Sequence, residues 1–190
     1  EILIGLAEAE LLPTSAAGLI KDCQTKWLDA RECIQALHAL SRLPLDSQDL
    51  QADLMAAIRT KAQGWWRFQL TDMADLVEAM VTLKLHDGLL LNLCLGQMPR
   101  ALSSDPHPCF LRLWGALSEL PSEMRERVQE RLHRSQRLRE AVGPCIKEAV
   151  QSITAVYDKG DVMPAAKAAS ELFCVSTSLS WEDSELAELA

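Results

Sequence analysis

The feature that most constrains the fold is a regular succession of amphipathic segments with a helical period, most of them closed by Pro or Gly. In each segment, residues that commonly cap helices precede apolar side chains spaced three and four positions apart. Asp29 and Glu32, for example, have the spacing of a capping box, and the apolar stripe that follows them ends before Pro44. The pattern predicts a chain of short helices.

Composition supports the same fold class. Of the 190 residues, 48% are hydrophobic, which is enough to build an ordered core. Aromatic residues make up only 5% of the chain, and runs of Val, Thr and Ile are scarce. Because Ala, Leu, Glu, Gln and Arg favour helices, we predict an all-α protein with almost no sheet.

Two six-residue stretches suggest a repeated unit. ALSRLP at 39–44 and ALSELP at 116–121 differ at one position. Predicted helices recur about every 38 residues, with first helices starting near residues 30, 72, 106 and 144, and second helices near 47, 88, 122 and 162. A helical hairpin of that length, stacked in an array, accounts for this period. The alternative is a non-repetitive helical bundle in which the Leu-Pro endings coincide.

We therefore predict a right-handed, α-solenoid-like array of antiparallel helical hairpins with about ten helices. A single repeat domain covers residues 1–179, and a short acidic helix or tail follows at 180–190. The predicted hairpins cover about 2–28, 30–65, 71–102, 106–141 and 144–175. The Leu-rich segment 88–98 is apolar nearly all round, which predicts a central helix ending at Pro99. A break is predicted at Gly143 and Pro144.

Charge and motifs exclude several function classes. With a net charge of -8, the chain lacks the large basic surface of an autonomous nucleic-acid binder, so any RNA contact must be local. The histidines (38, 86, 107 and 133) are dispersed, and no GxSxG, Walker or HExxH motif occurs, so we predict that the chain is not an enzyme. The most apolar window is too short to span a bilayer, which argues against membrane insertion.

The six cysteines predict neither a disulfide framework nor a metal site. They are scattered at positions 23, 33, 94, 109, 145 and 174, mostly on apolar helix faces. No CxxC pair or Cys/His cluster is present, so we expect reduced, buried thiols and no metal or cofactor.

One local segment has a basic character. Residues 122–141 contain six arginines and four glutamates. Arg127, Arg131 and Arg134 have i, i+4, i+7 spacing, which places them on one outer stripe of a helix where RNA phosphates or a partner can bind. The alternative is a solvated face with Glu–Arg pairs such as Glu123–Arg127 and Glu130–Arg134.

The stretch GWWRFQ at 64–69 is the densest aromatic cluster. Adjacent tryptophans cannot both face one core, so one of Trp65 and Trp66, beside Arg67, is a candidate partner contact or base-stacking platform. Packing in the core is the alternative for this cluster.

The repeat unit resembles a known family. A unit of roughly 38 residues whose first helix ends in a Leu-x-x-Leu turn, as in WGALSELP at 114–121 and LHALSRLP at 37–44, is similar to the octotricopeptide and FAST-kinase-like helical repeats of organellar proteins. The resemblance covers about residues 30–142. It implies residence in a mitochondrion or plastid and association with RNA or a ribonucleoprotein, commonly the organellar ribosome. The chain lacks the family's Pro-Pro-x-Trp signature and is acidic rather than basic.

We therefore expect a non-enzymatic helical-repeat scaffold or accessory subunit of a large organellar ribonucleoprotein, and the resemblance favours the mitochondrial ribosome in the matrix. This subunit would bind mainly proteins and, through the Arg-rich helix, rRNA, with no cofactor and no small-molecule substrate. The alternatives are a protein-only adaptor of another multiprotein complex and a small helical enzyme. For the location of the chain, the alternatives to the mitochondrion are a plastid and the cytoplasm.

Overall fold

The computed structural model describes residues 28–43, 48–63, 67–103, 108–159 and 162–181. Helices account for 85% of these residues, and none of them lies in a strand, which confirms the all-α prediction. In chain order the helices are α1 Ala30–Ser41, α2 Gln48–Ala62, α3 Leu70–Thr82, α4 Gly88–Leu102, α5 Pro108–Glu119, α6 Ser122–Arg134, α7 Gln136–Asp158 and α8 Val162–Ser178.

The described residues thus contain eight helices, against about ten expected for the whole chain. The hairpin predicted at 2–28 lies outside these residues except for its last one, and so does the predicted tail apart from Ser180 and Trp181. The chain divides into two compact units, Glu1–Leu93 and Cys94–Ala190.

In the first unit, α1 begins where its sequence predicts. The Asp29 carboxylate accepts a hydrogen bond from the Glu32 backbone N–H at 2.8 Å, and the Glu32 carboxylate accepts one from the Asp29 N–H at 2.7 Å. This reciprocal capping box satisfies two backbone donors at the helix start. The helix then buries an apolar stripe that includes Ile34, Leu37 and Leu40.

Helices α1 and α3 pack against each other in parallel. Arg31 Nε donates to Asp72 Oδ1 at 3.0 Å near their first turns, and His38 Nε2 lies 3.1 Å from Glu78 Oε2 further along. The paired residues are 41 and 40 positions apart, so the offset is nearly constant along the two helices. The separation is close to the predicted hairpin length of about 38 residues.

The start of α3 differs slightly from the sequence prediction. The sequence predicts a first helix starting near residue 72, but α3 begins at Leu70. The Asp72 carboxylate reaches back to accept from the Gln69 backbone N–H at 2.9 Å, which gives it the third-residue role of a capping box. Asp72 is therefore a buried acid that both caps α3 and binds Arg31.

The core of the second unit is built around Trp114 of α5. Its ring stacks on Phe110 with centroids 5.5 Å apart and meets the edge of Trp181 at 5.9 Å. Its indole N–H donates to Ser176 Oγ of α8 at 3.2 Å. Trp114 therefore joins α5 to the end of α8 through both apolar and polar contacts.

The prediction that one helix runs from about residue 122 to the end of the hairpin at 141 is wrong, because the helical backbone is interrupted at Ser135. This residue is extended (φ -102°, ψ 94°) and ends α6, while its hydroxyl oxygen accepts from the Leu138 N–H at 3.3 Å to cap α7. A serine can take this role because its side chain replaces the missing helical partner of a first-turn N–H. The predicted hairpin at 106–141 accordingly ends earlier than expected.

Two of the predicted proline boundaries do not end a helix. Pro144 lies inside α7, which continues to Asp158, and Pro99 lies inside α4, which continues to Leu102. Proline disfavours a helix interior by removing one backbone hydrogen bond. In α7, apolar side chains on both sides of this position are buried, and their burial keeps the segment helical: Leu138, Val142, Cys145, Ile146 and Ala149.

Two further predictions need correction. Leu89 of α4 is 60% exposed and Gly96 is also exposed, so the segment 88–98 has a solvent-facing side and is not buried all round as a central helix would be. Among the cysteines of the described residues, Cys33, Cys94 and Cys145 are buried as expected, but Cys174 is exposed. The described helices include none that is both long and apolar enough to cross a membrane.

Candidate interaction surfaces

Helix α6 has one buried apolar row and a largely charged surface. Met124, Val128 and Leu132 are buried at i, i+4, i+8 spacing. Most of the other side chains of this helix reach solvent, because neighbouring elements cover only one side.

An arginine stripe lies on this exposed surface. Arg127, Arg131 and Arg134 are all exposed, and their i, i+4, i+7 spacing puts them on the same side of α6. We call these three residues the arginine stripe. The structure therefore brings together the three arginines singled out from the sequence, whereas their role as a contact surface stays a prediction.

Two members of the arginine stripe pair with glutamates on the same helix. Arg127 Nη2 lies 3.4 Å from Glu123 Oε1, and Arg134 Nη2 lies 2.7 Å from Glu130 Oε1. These are the Glu–Arg pairs that the alternative interpretation expects. All four side chains are largely exposed, so each pair contributes only about 0.3–0.5 kcal/mol and an incoming anion can replace the glutamate.

Other arginines of the segment take different positions. Arg125 turns inward and donates to the Ser118 carbonyl at 3.1 Å, which fastens α6 to the end of α5. Arg137 and Arg139 are exposed at the start of α7. The Arg139 guanidinium carbon lies 5.9 Å from the Trp181 ring centroid, a cation–π distance.

The aromatic cluster is only partly described. Trp65 and Trp66 lie outside the described residues, so their predicted contacts stay predictions. Arg67 is exposed, and the adjacent Phe68 is buried with 4% of its surface accessible. Phe68 therefore belongs to the core of the first unit.

Helix α8 exposes apolar side chains that the sequence interpretation did not single out. Val162, Met163 and Phe173 are 48%, 80% and 39% exposed. Val162 and Phe173 lie on one side of the helix with Ala166 and Ala169, at i, i+4, i+7, i+11 spacing. A neighbouring stripe of the same helix buries the residues that face the core, Ala165, Leu172 and Ser176. The exposed row is the surface pattern of a helix that packs against another protein.

A cluster of side chains that can ligate a metal ion was not predicted, because its members are far apart in the sequence. His38 of α1 meets Asp75 and Glu78 of α3, and one donor atom from each lies within 4.8 Å of the other two. Only the offset of about 40 residues between α1 and α3 links these positions, so the signal was in the repeat length rather than in a local motif. Within the described residues, these three side chains are close enough together to hold a metal ion.

The buried thiol of Cys145 carries no sign of activation. Burial raises the pKa of the Cys145 thiol above its usual value, and the Glu148 carboxylate raises it further. A thiol that resists ionisation is a poor nucleophile, so Cys145 acts as a small apolar side chain in α7.

Comparison with known proteins gave no match to a protein-family model, a curated protein or a solved structure.

Proposed function

We propose that the chain is a non-enzymatic interaction subunit of a ribonucleoprotein, and that the arginine stripe on α6 contacts the phosphates of its RNA. The observation that carries this proposal is the exposure of Arg127, Arg131 and Arg134 on one side of a single helix. Guanidinium groups bind phosphate through paired, charge-assisted hydrogen bonds, which suits them to this contact.

The charge of the whole chain limits how the contact forms. With a net charge of -8 the chain repels RNA at long range, so the arginine stripe acts only at short range. Binding by the isolated protein is then weak, and the larger assembly supplies the remaining affinity. An acidic surface around a local basic helix suits an accessory subunit that contacts basic proteins on one side and RNA on another.

The nature of the assembly follows from the repeat resemblance. The resemblance of the repeat unit to octotricopeptide and FAST-kinase-like repeats supports residence in an organelle, and the mitochondrial ribosome in the matrix is the ribonucleoprotein that we propose. The nearly constant 40-residue offset between α1 and α3 supports the repeat unit on which this part of the proposal rests.

RNA binding is tested with two triple variants that remove the same charge. Arg127, Arg131 and Arg134 are replaced by Gln in one variant; in the control, Gln replaces three other exposed cations, Arg42, Arg100 and Lys159. Affinity for a fluorescent single-stranded RNA is measured by anisotropy over a range of salt concentrations. We expect at least tenfold weaker binding in the stripe variant and a salt slope smaller by about 2, since each phosphate contact contributes about 0.7. Equal losses in both variants would show that only overall charge matters.

The assembly is tested by sedimentation of the tagged protein from a gentle lysate, with and without ribonuclease. We expect migration in a heavy particle that collapses after digestion. Sedimentation as a free species of about 21 kDa would exclude both the ribonucleoprotein and the adaptor role.

A second candidate function, a protein-only adaptor, is favoured by the exposed apolar row of α8. Such an adaptor would sediment in a particle that survives ribonuclease. Val162→Asp and Phe173→Asp would release it from the particle, because each places a charge in an apolar contact. Ser170→Asp is the control on the same helix, since Ser170 is already exposed.

A further inference from the structure

Three side chains with metal-ligating atoms converge between α1 and α3. His38 Nε2 lies 3.1 Å from Glu78 Oε2, and His38 Nδ1 lies 3.9 Å from Asp75 Oδ1. Asp75 and Glu78 are three positions apart on α3, so both carboxylates are on the side of the helix that faces His38. Glu78 therefore faces one ring nitrogen and Asp75 the other, and one donor atom from each of the three residues lies within 4.8 Å of the other two.

This donor set suits a divalent first-row metal ion. Imidazole nitrogen and carboxylate oxygen are both ligands of Zn²⁺, with bonds of about 2.0–2.2 Å that place neighbouring ligand atoms roughly 3 to 4 Å apart. The distance between His38 Nε2 and Glu78 Oε2 already lies in that range, and binding through all three residues requires the Asp75 carboxylate and the His38 ring to turn toward each other so that one nitrogen meets both carboxylates. Two carboxylates also balance the charge of a divalent cation.

The cluster is neither fully buried nor fully exposed. The side chains of His38, Asp75 and Glu78 are 23%, 21% and 29% exposed. An ion can therefore enter from solvent, while the partial burial strengthens its attraction to the carboxylates compared with a surface site.

The two helices that carry the cluster are held in place independently of it. Arg31 donates to both carboxylate oxygens of Asp72, at 3.0 and 3.4 Å, one turn before Asp75 on α3. Leu37 beside His38 and Leu76 beside Asp75 are fully buried. A backbone fixed in this way lowers the entropy cost of bringing the three ligands together.

The geometry points to a Zn²⁺-binding site formed by His38, Asp75 and Glu78, which ties α1 to α3. This site contradicts the expectation from the sequence that the chain holds no metal, and it does not depend on the proposed RNA contact. Three protein donors leave at least one coordination position for water or for a donor atom of a partner.

The test is direct titration of the full chain with Zn²⁺ by calorimetry, with Co²⁺ as a spectroscopic probe of the ligands. His38→Gln and Glu78→Gln keep side-chain hydrogen bonding and remove a ligand, so each is expected to weaken Zn²⁺ binding at least tenfold. The Co²⁺ complex is expected to lack the charge-transfer absorption of thiolate ligands, which separates this site from the cysteines.

His133→Gln and Glu126→Gln serve as matched controls because both residues are exposed on α6. Each control is expected to bind Zn²⁺ like the unmodified chain. Circular dichroism without metal checks that His38→Gln and Glu78→Gln keep their helices. Equal Zn²⁺ affinity in His38→Gln and His133→Gln would overturn the proposal, as would Co²⁺ spectra dominated by thiolate or the absence of micromolar binding by the unmodified chain.

Discussion

Arg59 of α2 donates to a single carboxylate oxygen of Asp87 from two nitrogens, Nε at 2.9 Å and Nη2 at 2.6 Å. The other oxygen of Asp87 accepts from the backbone N–H groups of Leu89 and Leu90 at 3.0 and 3.1 Å, at the start of α4. One buried aspartate therefore caps α4 and fastens it to α2. Asp72 has the corresponding double role between α1 and α3.

Removing the Asp87 carboxylate should destabilise the first unit. We expect Asp87→Ala to lower the free energy of unfolding by about 1–2 kcal/mol, mostly through loss of the helix cap, because the Arg59 side chain is 43% exposed and solvent screens its ion pair. Urea unfolding followed by circular dichroism measures the change. Asp53→Ala, at an exposed position of α2, should change it by no more than about 0.5 kcal/mol. Similar losses in both variants would contradict the role of Asp87.

The hydrogen bond between Trp114 and Ser176 gives a prediction for the second unit. In Ser176→Ala the buried indole N–H loses its partner, so we expect a loss of about 1–2 kcal/mol in the free energy of unfolding, measured by tryptophan fluorescence in urea. Ser170→Ala on the exposed side of α8 is the control and should have little effect. If Ser176→Ala were as stable as the control, the hydrogen bond would contribute nothing measurable.

The helices were predictable because capping residues and apolar spacing agree, as they do at Asp29, Glu32 and Ile34 of α1. The break at Ser135 was missed because both sides of it continue with helix-favouring residues, and a single serine cap does not stand out in such a run. The false break at Gly143 and Pro144 shows the opposite case. There a strong local helix breaker is outweighed by tertiary burial of the neighbouring apolar side chains.

The interior position of Pro144 predicts a stabilising substitution. Pro144→Ala restores a backbone N–H that can donate to the Glu140 carbonyl, and it removes the steric conflict of the ring, so we expect a gain of about 1 kcal/mol or more in the free energy of unfolding. Pro164→Ala is the control, because Pro164 lies in the first turn of α8, where an N–H has no helical partner. Urea unfolding of both variants decides the prediction, and a destabilised Pro144→Ala would contradict it.

The candidate sites differ in how much of them the sequence could reveal. The arginine stripe lies on one helix, and helical periodicity alone places its three residues together. The cluster of His38, Asp75 and Glu78 joins two helices, and it becomes visible only when residues about 40 positions apart are known to pack in register. Local motifs do not encode such a contact, so a search for short metal-binding patterns passes over it.

The cysteines give a prediction that depends on burial and ionisation together. Cys174 is exposed, whereas Cys145 is buried and its raised pKa keeps the thiol protonated. Because only thiolates react with iodoacetamide, native-state alkylation at pH 8 should modify Cys174 at least 100-fold faster than Cys145, with the sites followed by mass spectrometry.

Full reaction of both thiols in urea is the control for this alkylation experiment. As pH rises above the usual thiol pKa of about 9.0, Cys145 ionises in the unfolded chain before it ionises in the folded chain. Ionisation then favours the unfolded chain, so the free energy of unfolding falls. The variant Cys145→Ser has no thiol at this position, so the free energy of unfolding should lose the part of its pH dependence that comes from Cys145. Comparable native reaction rates at Cys145 and Cys174 would show that α7 opens readily and that burial does not protect the thiol.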